Sequence, residues 1–414
     1  MKGLSLVMQL LDSNFRLEKT SLFFYYVLIV GFMSLWVSPF VVSVSTGFSL
    51  IYVALNFKHL FVVKNIRIVY VSFAIFLLSL IDILINGLTN ITSSKFLLLL
   101  GFLVALASFS MLFHQKKNRL VNLTLILSSI VSSLNILVIT NYFLNKEFYD
   151  ALLLQSKSIT IPNMHHIHFG IINACIIALL IGILLTKKFN SKIQFNFAFG
   201  LLLISFISFH ILSSRTGLLS FYVGLFVSLV WNTIQNKSFK SLVIGFVVIM
   251  LSISLSYSFS DSFKNKIQNS LEDYNSWGNG DEINHKSMAM RIEASKMCIK
   301  IIKNNPFGVG AKAQKQVIQE TYVKENTPLD IENRVGPHNQ FLEFGVKYGW
   351  IGIFLLILFF VYLIPLIRSS SFPLIGIIGI VFTSLFFESI LERQTSIYIF
   401  SLFITLSTSL FRLD

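Results

Sequence analysis

Residues 167–186 read IHFGIINACIIALLIGILLT, twenty residues without an Asp, Glu, Lys or Arg. At about 1.5 Å per residue, a helix of this length matches the roughly 30 Å hydrocarbon core of a bilayer. A surface helix of a soluble protein would confine its apolar residues to one stripe, whereas this one is apolar all round. It therefore reads as a membrane-spanning helix. Comparable runs recur on both sides of it, near 21–38, 40–57, 68–86, 95–113, 120–142, 194–212, 217–235, 241–259, 341–366, 373–390 and 394–411. The split of 21–57 into two helices rests on Ser38-Pro39. The 414-residue chain is 54% hydrophobic and only 13% charged, with a mean hydropathy of +0.74. Soluble domains carry about 25% charged residues. No single soluble core could bury so much apolar surface, so the bilayer acts as solvent. The expectation is an all-α polytopic membrane protein of about 12 transmembrane helices.

The net charge of +14 raises the question of nucleic acid, but the charges sit in short loops between apolar runs, and no nucleic-acid partner is expected. Those loops orient the chain through the excess of basic residues on the cytoplasmic side. With the N-terminus inside, sixteen basic residues fall in inner segments: Lys2, Arg16, Lys19, Lys58, Lys64, Arg67, Lys116, Lys117, Arg119, Lys187, Lys188, Lys192, Lys237, Lys240, Arg368 and Arg412. Five fall in short outer loops: Lys95, Lys146, Lys157, Arg215 and Arg393. Both termini are thus expected to be cytoplasmic. The first residues, MKGLSLVMQLLDSNFRLEKT, lack a cleavable signal pattern and read as an amphipathic lead-in. Cys175 in an apolar run and Cys298 in a polar one are not expected to form a disulfide.

Three regions follow from this layout. Residues 1–259 form an N-terminal bundle of about nine helices, 260–340 a large loop outside the cytoplasm, and 341–414 about three C-terminal helices. The loop is polar enough to fold as a cap. Within MRIEASKMCIKIIKNNP (290–306), Met290, Ala294, Met297 and Ile301 recur at helical spacing, and Asn304-Asn305-Pro306 followed by Gly308 stops the helix. Such a helix can lie on the membrane surface or over a cavity.

Several side chains can carry chemistry. Arg215 sits in the tight outer turn SSRTG (213–217), where a short loop should avoid basic residues. It either snorkels to lipid phosphate or presents its planar fork to an anionic phosphate. His338 lies in RVGPHNQFLEFGVKYGWIG (334–352), where the loop turns into an apolar run. Pro337 suits a first helical turn, placing His338 at the membrane mouth, and Gly345 and Gly349 form a GxxxG step for close helix approach. A histidine there is either structural or a general base. Arg291 opens the segment that ends in NNPFGVG, and Arg334, Lys296 and Lys300 are weaker basic candidates in the same loop. His165, His166 and His168 in PNMHHIHFG (162–170) have no carboxylate or cysteine beside them, so no metal is expected; they are interfacial or line a cavity. Glu388, Glu392 and Arg393 at a further outer turn either pair with one another or line the same cavity. Asn339, His168 and Arg334 are candidate substrate-binding positions.

The run NPFGVG, a polar stretch, then HNQFLEFGVKYGWIG opening a membrane helix resembles the signature of the O-antigen ligase and O-antigen polymerase superfamily. The SSRTG turn upstream resembles its other marker, and the likeness covers mainly residues 205–365. The resemblance implies a metal-independent, cofactor-free glycosyltransferase of the membrane-embedded GT-C type in the bacterial inner membrane, acting in lipopolysaccharide biosynthesis. It would move a glycan from an undecaprenyl-diphosphate carrier to an acceptor at the periplasmic face. In ligases the acceptor is lipid A–core; in polymerases it is another carrier-linked repeat unit. At the matching positions, Arg215 and Arg291 would bind the diphosphate and His338 would activate the acceptor hydroxyl. PNMHHIHFG is not among the family's markers, and no acceptor signature appears in the loop.

The chemistry is consistent with that likeness. No nucleotide sugar exists outside the cytoplasm, so glycosyl transfer there needs an activated donor such as a lipid diphosphate. Cationic groups at the low-dielectric rim stabilise the anion as the sugar–oxygen bond breaks, and direct displacement inverts the anomeric carbon. No nucleotide-binding glycine loop is present. Two rivals stand beside this reading. A Wzy-type polymerase shares the chemistry and differs in acceptor. A lipid-linked oligosaccharide transporter would place ionisable residues or broken helices at mid-membrane, where Asp82 is the acidic residue within an early apolar run.

Overall fold

The computed structural model describes residues 21–63, 66–115, 117–154, 159, 161, 163–186, 189, 191–237, 239–367 and 372–411. The lead-in 1–20, which includes Lys2, Arg16 and Lys19, lies outside the described residues. So do Lys64, Lys116, Lys157, Lys187, Lys188, Arg368 and Arg412 of the charge comparison, and Pro162 of the histidine motif.

The described chain is helical almost throughout, and among the described residues no sheet forms. The first helices are α1 (Ser21–Trp36), α2 (Pro39–Leu55), α3 (Ile66–Asn86), α4 (Asn90–Gln115) and α5 (Lys117–Leu144). Then come α6 (His166–Leu185), α7 (Lys192–Leu212), α8 (Arg215–Asn236) and α9 (Phe239–Phe259). Three polar helices follow, α10 (Asp261–Asn279), α11 (Ser287–Asn304) and α12 (Gly310–Lys324). The chain closes with α13 (Gln340–Val361), α14 (Phe372–Phe387) and α15 (Gln394–Leu410). Among the described residues, eight helices, α3 to α9 and α13, are long and apolar enough to cross a membrane; α1, α2, α14 and α15 are apolar but shorter. The break at Ser38-Pro39 has the expected cause: Pro39 occupies the first turn of α2, where its missing N–H is not needed. Lys95, read above as a loop residue, lies inside α4, which begins five residues earlier at Asn90.

Small residues set the tightest crossings, as expected where lipid removes any hydrophobic drive between helices. Gly217 of α8 lies on Gly170 of α6 so closely that a Cβ on Gly217 would come within 2.8 Å of the Gly170 carbonyl carbon. Gly224 of α8 meets Gly376 and Gly379 of α14 in the same way. The α6–α8–α14 group therefore holds the starts of α6 and α8 side by side.

The polar helices fold as a cap with its own apolar core. Ala294, Met297, Cys298 and Ile301 of α11 pack with Ile318 and Tyr322 of α12 and Val346 of α13. The α11 helix therefore packs into the cap instead of lying free on a membrane surface. Cys175 and Cys298 are both buried and unpaired.

The Gly345–Gly349 step differs from its reading as a simple helix crossing. Gly345 does receive a neighbour, the Ile302 side chain of α11. Gly349 instead breaks α13, with φ 65° and ψ −156°. The NPFGVG loop fills the break: Trp350 N–H donates to the Pro306 carbonyl at 3.0 Å, and Val309 N–H donates to the Val346 carbonyl at 2.8 Å. The two motifs of the resemblance thus interlock through their backbones. Just beyond, Asp82 of α3 accepts from the Ala311 N–H at 3.2 Å and is itself held by Asn86 at 2.7 Å. The acidic residue inside an early apolar run is the N-terminal cap of α12, satisfying a donor that helix geometry leaves open.

Candidate active site

Charged side chains from distant parts of the chain gather where the cap meets the membrane helices. Arg215 is the first residue of α8, following Ser213, which closes α7 in the left-handed region at φ 48°. The Gly170–Gly217 contact fixes this end of α8 against the start of α6, two residues beyond His168. Arg215 directs Nη1 toward Asp273 of α10 at 3.7 Å, while its Nε is buried without a hydrogen-bond partner.

Arg291, in the first turns of α11, donates from Nη1 to the Phe387 carbonyl at the end of α14, at 2.8 Å. Burial lowers its pKa, the nearby Glu388 carboxylate opposes that, and the charge of Arg215 adds to it. The two guanidinium groups thus stand within electrostatic reach of one another. Neither loses its proton, since an arginine remains charged in proteins.

His338 precedes α13 instead of lying in its first turn. The helix starts at Gln340, and Asn339 caps it, its Oδ1 accepting from the N–H groups of Phe341 and Leu342 at 2.9 and 3.1 Å. His338 itself adopts φ 43°, a left-handed backbone that favours glycine or asparagine. Its Nδ1 lies 3.8 Å from Glu388 Oε2, an ion-pair distance, longer than a formed hydrogen bond. Burial alone would raise the Glu388 carboxyl, but His338, His168 and Arg291 outweigh it and hold it down at about 2. The glutamate is ionised at any physiological pH.

The histidine segment lies beside this cluster. The His165 and His166 rings lie tilted at 36° with centroids 4.3 Å apart, and His165 feels the charges of Glu388, Arg393, Arg291 and His338. His168 is buried below them, its Nε2 3.2 Å from Ser396 Oγ, at the rim of a small hollow lined by Cys175, Ser384 and Ile390. Among the described residues no group of three or more His, Cys, Asp and Glu is arranged to hold a metal ion.

Arg334 lies elsewhere in the cap, donating from Nε to the Leu329 carbonyl at 3.2 Å with its guanidinium over the Tyr322 ring. Lys296 pairs with Glu293, and Lys300 with Glu325. Glu392 does not pair with Arg393: it is shared by Lys95 of α4 and Lys347 of α13, which also grips Glu343 at 2.8 Å.

Residues 199–357 match the O-antigen ligase family model. That stretch is similar to an O-antigen ligase domain and spans less than half of the chain. The matched stretch contains SSRTG, NPFGVG and HNQFLEFGVKYGWIG, and with them Arg215, Arg291 and His338. No curated protein matches the chain. Outside the matched stretch, the residue just past α14 and the stretch before α6 supply Glu388 and His165 to the same cluster.

Two further members of the group were not singled out from sequence, Asp273 and Lys266 on α10. Lys266 is buried, and burial together with the charge of Arg215 pushes its amine down to about 8. The signal available was their spacing of seven residues, which returns to one helical face.

Proposed function

We propose that this protein is a GT-C-type, metal-independent glycosyltransferase of the bacterial inner membrane, moving a glycan from undecaprenyl diphosphate onto lipid A–core at the periplasmic face. The reading is carried by the convergence of Arg215, Arg291 and the His338–Glu388 pair where the cap meets the membrane helices. In this reading the cap mouth faces the periplasm, as the distribution of basic loop residues argues.

The donor's diphosphate lies between Arg215 and Arg291, with the polyprenyl tail in lipid and the first sugar toward His338. The acceptor hydroxyl attacks the anomeric carbon from the face opposite the diphosphate. As the new carbon–oxygen bond forms, the hydroxyl proton passes to the free imidazole nitrogen of His338. The old bond breaks with its electron pair on the diphosphate oxygen, leaving undecaprenyl diphosphate and an inverted anomeric centre. The guanidinium groups meet the charge that grows on the leaving oxygen, where preorganised cations have most effect. Glu388 steadies the imidazolium as it forms, a role like that of the acid in a Ser-His-Asp triad.

A polymerase would use the same steps with a second carrier-linked glycan as acceptor. A transporter finds less support, because Asp82 is occupied as the cap of α12. The test is transfer by purified protein from undecaprenyl-diphosphate-linked glycan, with lipid A–core present or absent. Product on lipid A–core supports a ligase; chain extension on the carrier without it identifies a polymerase; no transfer in either arm overturns the proposal.

A further inference from the structure

The face of α10 turned toward Arg215 carries Phe263, Lys266 and Asp273, spaced three and seven residues apart. All three are buried. Phe263 seats the helix against the His210 ring at 6.3 Å between centroids. Asp273 then does two things with one oxygen: its Oδ2 lies 3.7 Å from Arg215 Nη1 and accepts from the Met288 N–H at 2.9 Å. Met288 is in the first turn of α11, and Arg291 follows three residues later. A single carboxylate therefore ties the guanidinium at the start of α8 to the helix that carries the other arginine.

We infer that Asp273 is a positioning residue of the diphosphate site, aiming Arg215 while the site is empty and yielding it to the incoming diphosphate. The inference rests on the function proposed above. Arg215 stands among cations, Lys266 and Arg291, and would turn away from them without a counter-charge. Asp273 engages one terminal nitrogen only, at a distance too long for a bidentate fork, and leaves the buried Nε unspent. A phosphate that takes two guanidinium nitrogens at once makes the stronger contact. The carboxylate thus orients the arginine without competing strongly enough to keep it.

Asp273→Asn separates these roles, since its amide oxygen can still accept from Met288 N–H while the charge is gone. The purified variant is measured for undecaprenyl diphosphate affinity, for kcat and donor KM, and for thermal stability. Removing the one anion that competes for Arg215 should tighten undecaprenyl diphosphate binding about threefold. Loss of aim should lower kcat about tenfold. Asp273→Glu should recover part of kcat. A merely structural carboxylate would not move affinity and kcat in opposite directions; both unchanged, or both falling with the melting temperature, overturns the inference. Should Asp273→Asn not fold, Asp273→Glu decides: lower kcat at unchanged affinity supports positioning, and wild-type values in both overturn it. Wild-type protein that binds undecaprenyl diphosphate but transfers nothing overturns the proposed reaction. The binding arm then settles Asp273 alone, tighter binding of the Asn variant supporting it and unchanged or weaker binding overturning it.

Discussion

Glu388, just past the end of α14, holds its carboxylate 3.8 Å from Nδ1 of His338, which stands just before α13. Fifty residues of chain separate them, and His338 holds a left-handed backbone just ahead of α13. A carboxylate on one side of an imidazole favours a proton on the facing nitrogen and leaves the other nitrogen to accept one.

Glu388→Gln is therefore expected to lower kcat by about 10²-fold, within the range for loss of a group that supports a general base, while leaving donor KM nearly unchanged. His338→Ala should abolish transfer in protein that still inserts in the membrane. The sign of the pH effect follows from the depressed carboxyl. Its stabilising contribution is complete above the ordinary value of 4.5 and is lost as pH falls toward about 2. Wild type should thus exceed Glu388→Gln in melting temperature at neutral pH, and the difference should close between those limits. A gap that widens toward acid would contradict the pairing.

How much of this was legible in advance differs by residue. The apolar run 167–186 needed nothing but its composition, because the bilayer imposes length and polarity locally. Arg215 and His338 stood out because a basic turn and a pre-helical histidine oppose local expectation. Asp82 was visible as an anomaly but misleading in kind, since its partner, the Ala311 N–H, lies 229 residues away. Glu392 gave no hint that it would choose Lys95 and Lys347 over adjacent Arg393. Pairings of that sort depend on which helices become neighbours, and no local pattern encodes this.

Arg215 and Arg291 predict a distinct signature. If both serve the leaving diphosphate, Arg→Ala at either should cost transfer by about 10²–10³-fold or more, the scale for removing one preorganised donor to a developing anion. Arg→Lys should restore only a fraction, because an ammonium cannot form the planar two-point contact. Initial rates with a labelled lipid-linked donor measure both. Full activity in Arg291→Lys would argue that its bond to the Phe387 carbonyl is its whole purpose.

Lys347 makes a prediction about stability. Its side chain is almost wholly buried, with Glu343 at 2.8 Å and Glu392 at 2.6 Å. Lys347→Met would leave two carboxylates around an apolar side chain, with Lys95 alone to answer Glu392. Breaking a buried pair in this way costs about 3–5 kcal/mol. The triple change Lys347→Met with Glu343→Gln and Glu392→Gln should be less damaging than the single one. Denaturation of the detergent-solubilised protein compares them, and equal losses would show that the charges contribute little.

The last prediction concerns the joint between cap and membrane bundle. Gly349 has φ 65°, and a Cβ there would come within 2.0 Å of the Pro306 carbonyl oxygen, which must accept from Trp350 N–H. Gly349→Ala meets two costs, the left-handed backbone and a collision with backbone atoms that have no rotamer by which to move away. The backbone cost alone is about 1–3 kcal/mol. Expulsion of the NPFGVG loop would relieve both by letting α13 run straight through 346–350. That would also pull α11 off the membrane helices, and with it Arg291. Gly349→Ala should therefore lose transfer more completely than melting temperature, and proteolysis should open the cap while the membrane helices stay protected. Gly336→Ala, with no atom within 4 Å of the added Cβ, is the control expected to behave as wild type. Near-normal transfer in Gly349→Ala would mean that the interlocked loop does not hold Arg291 in place.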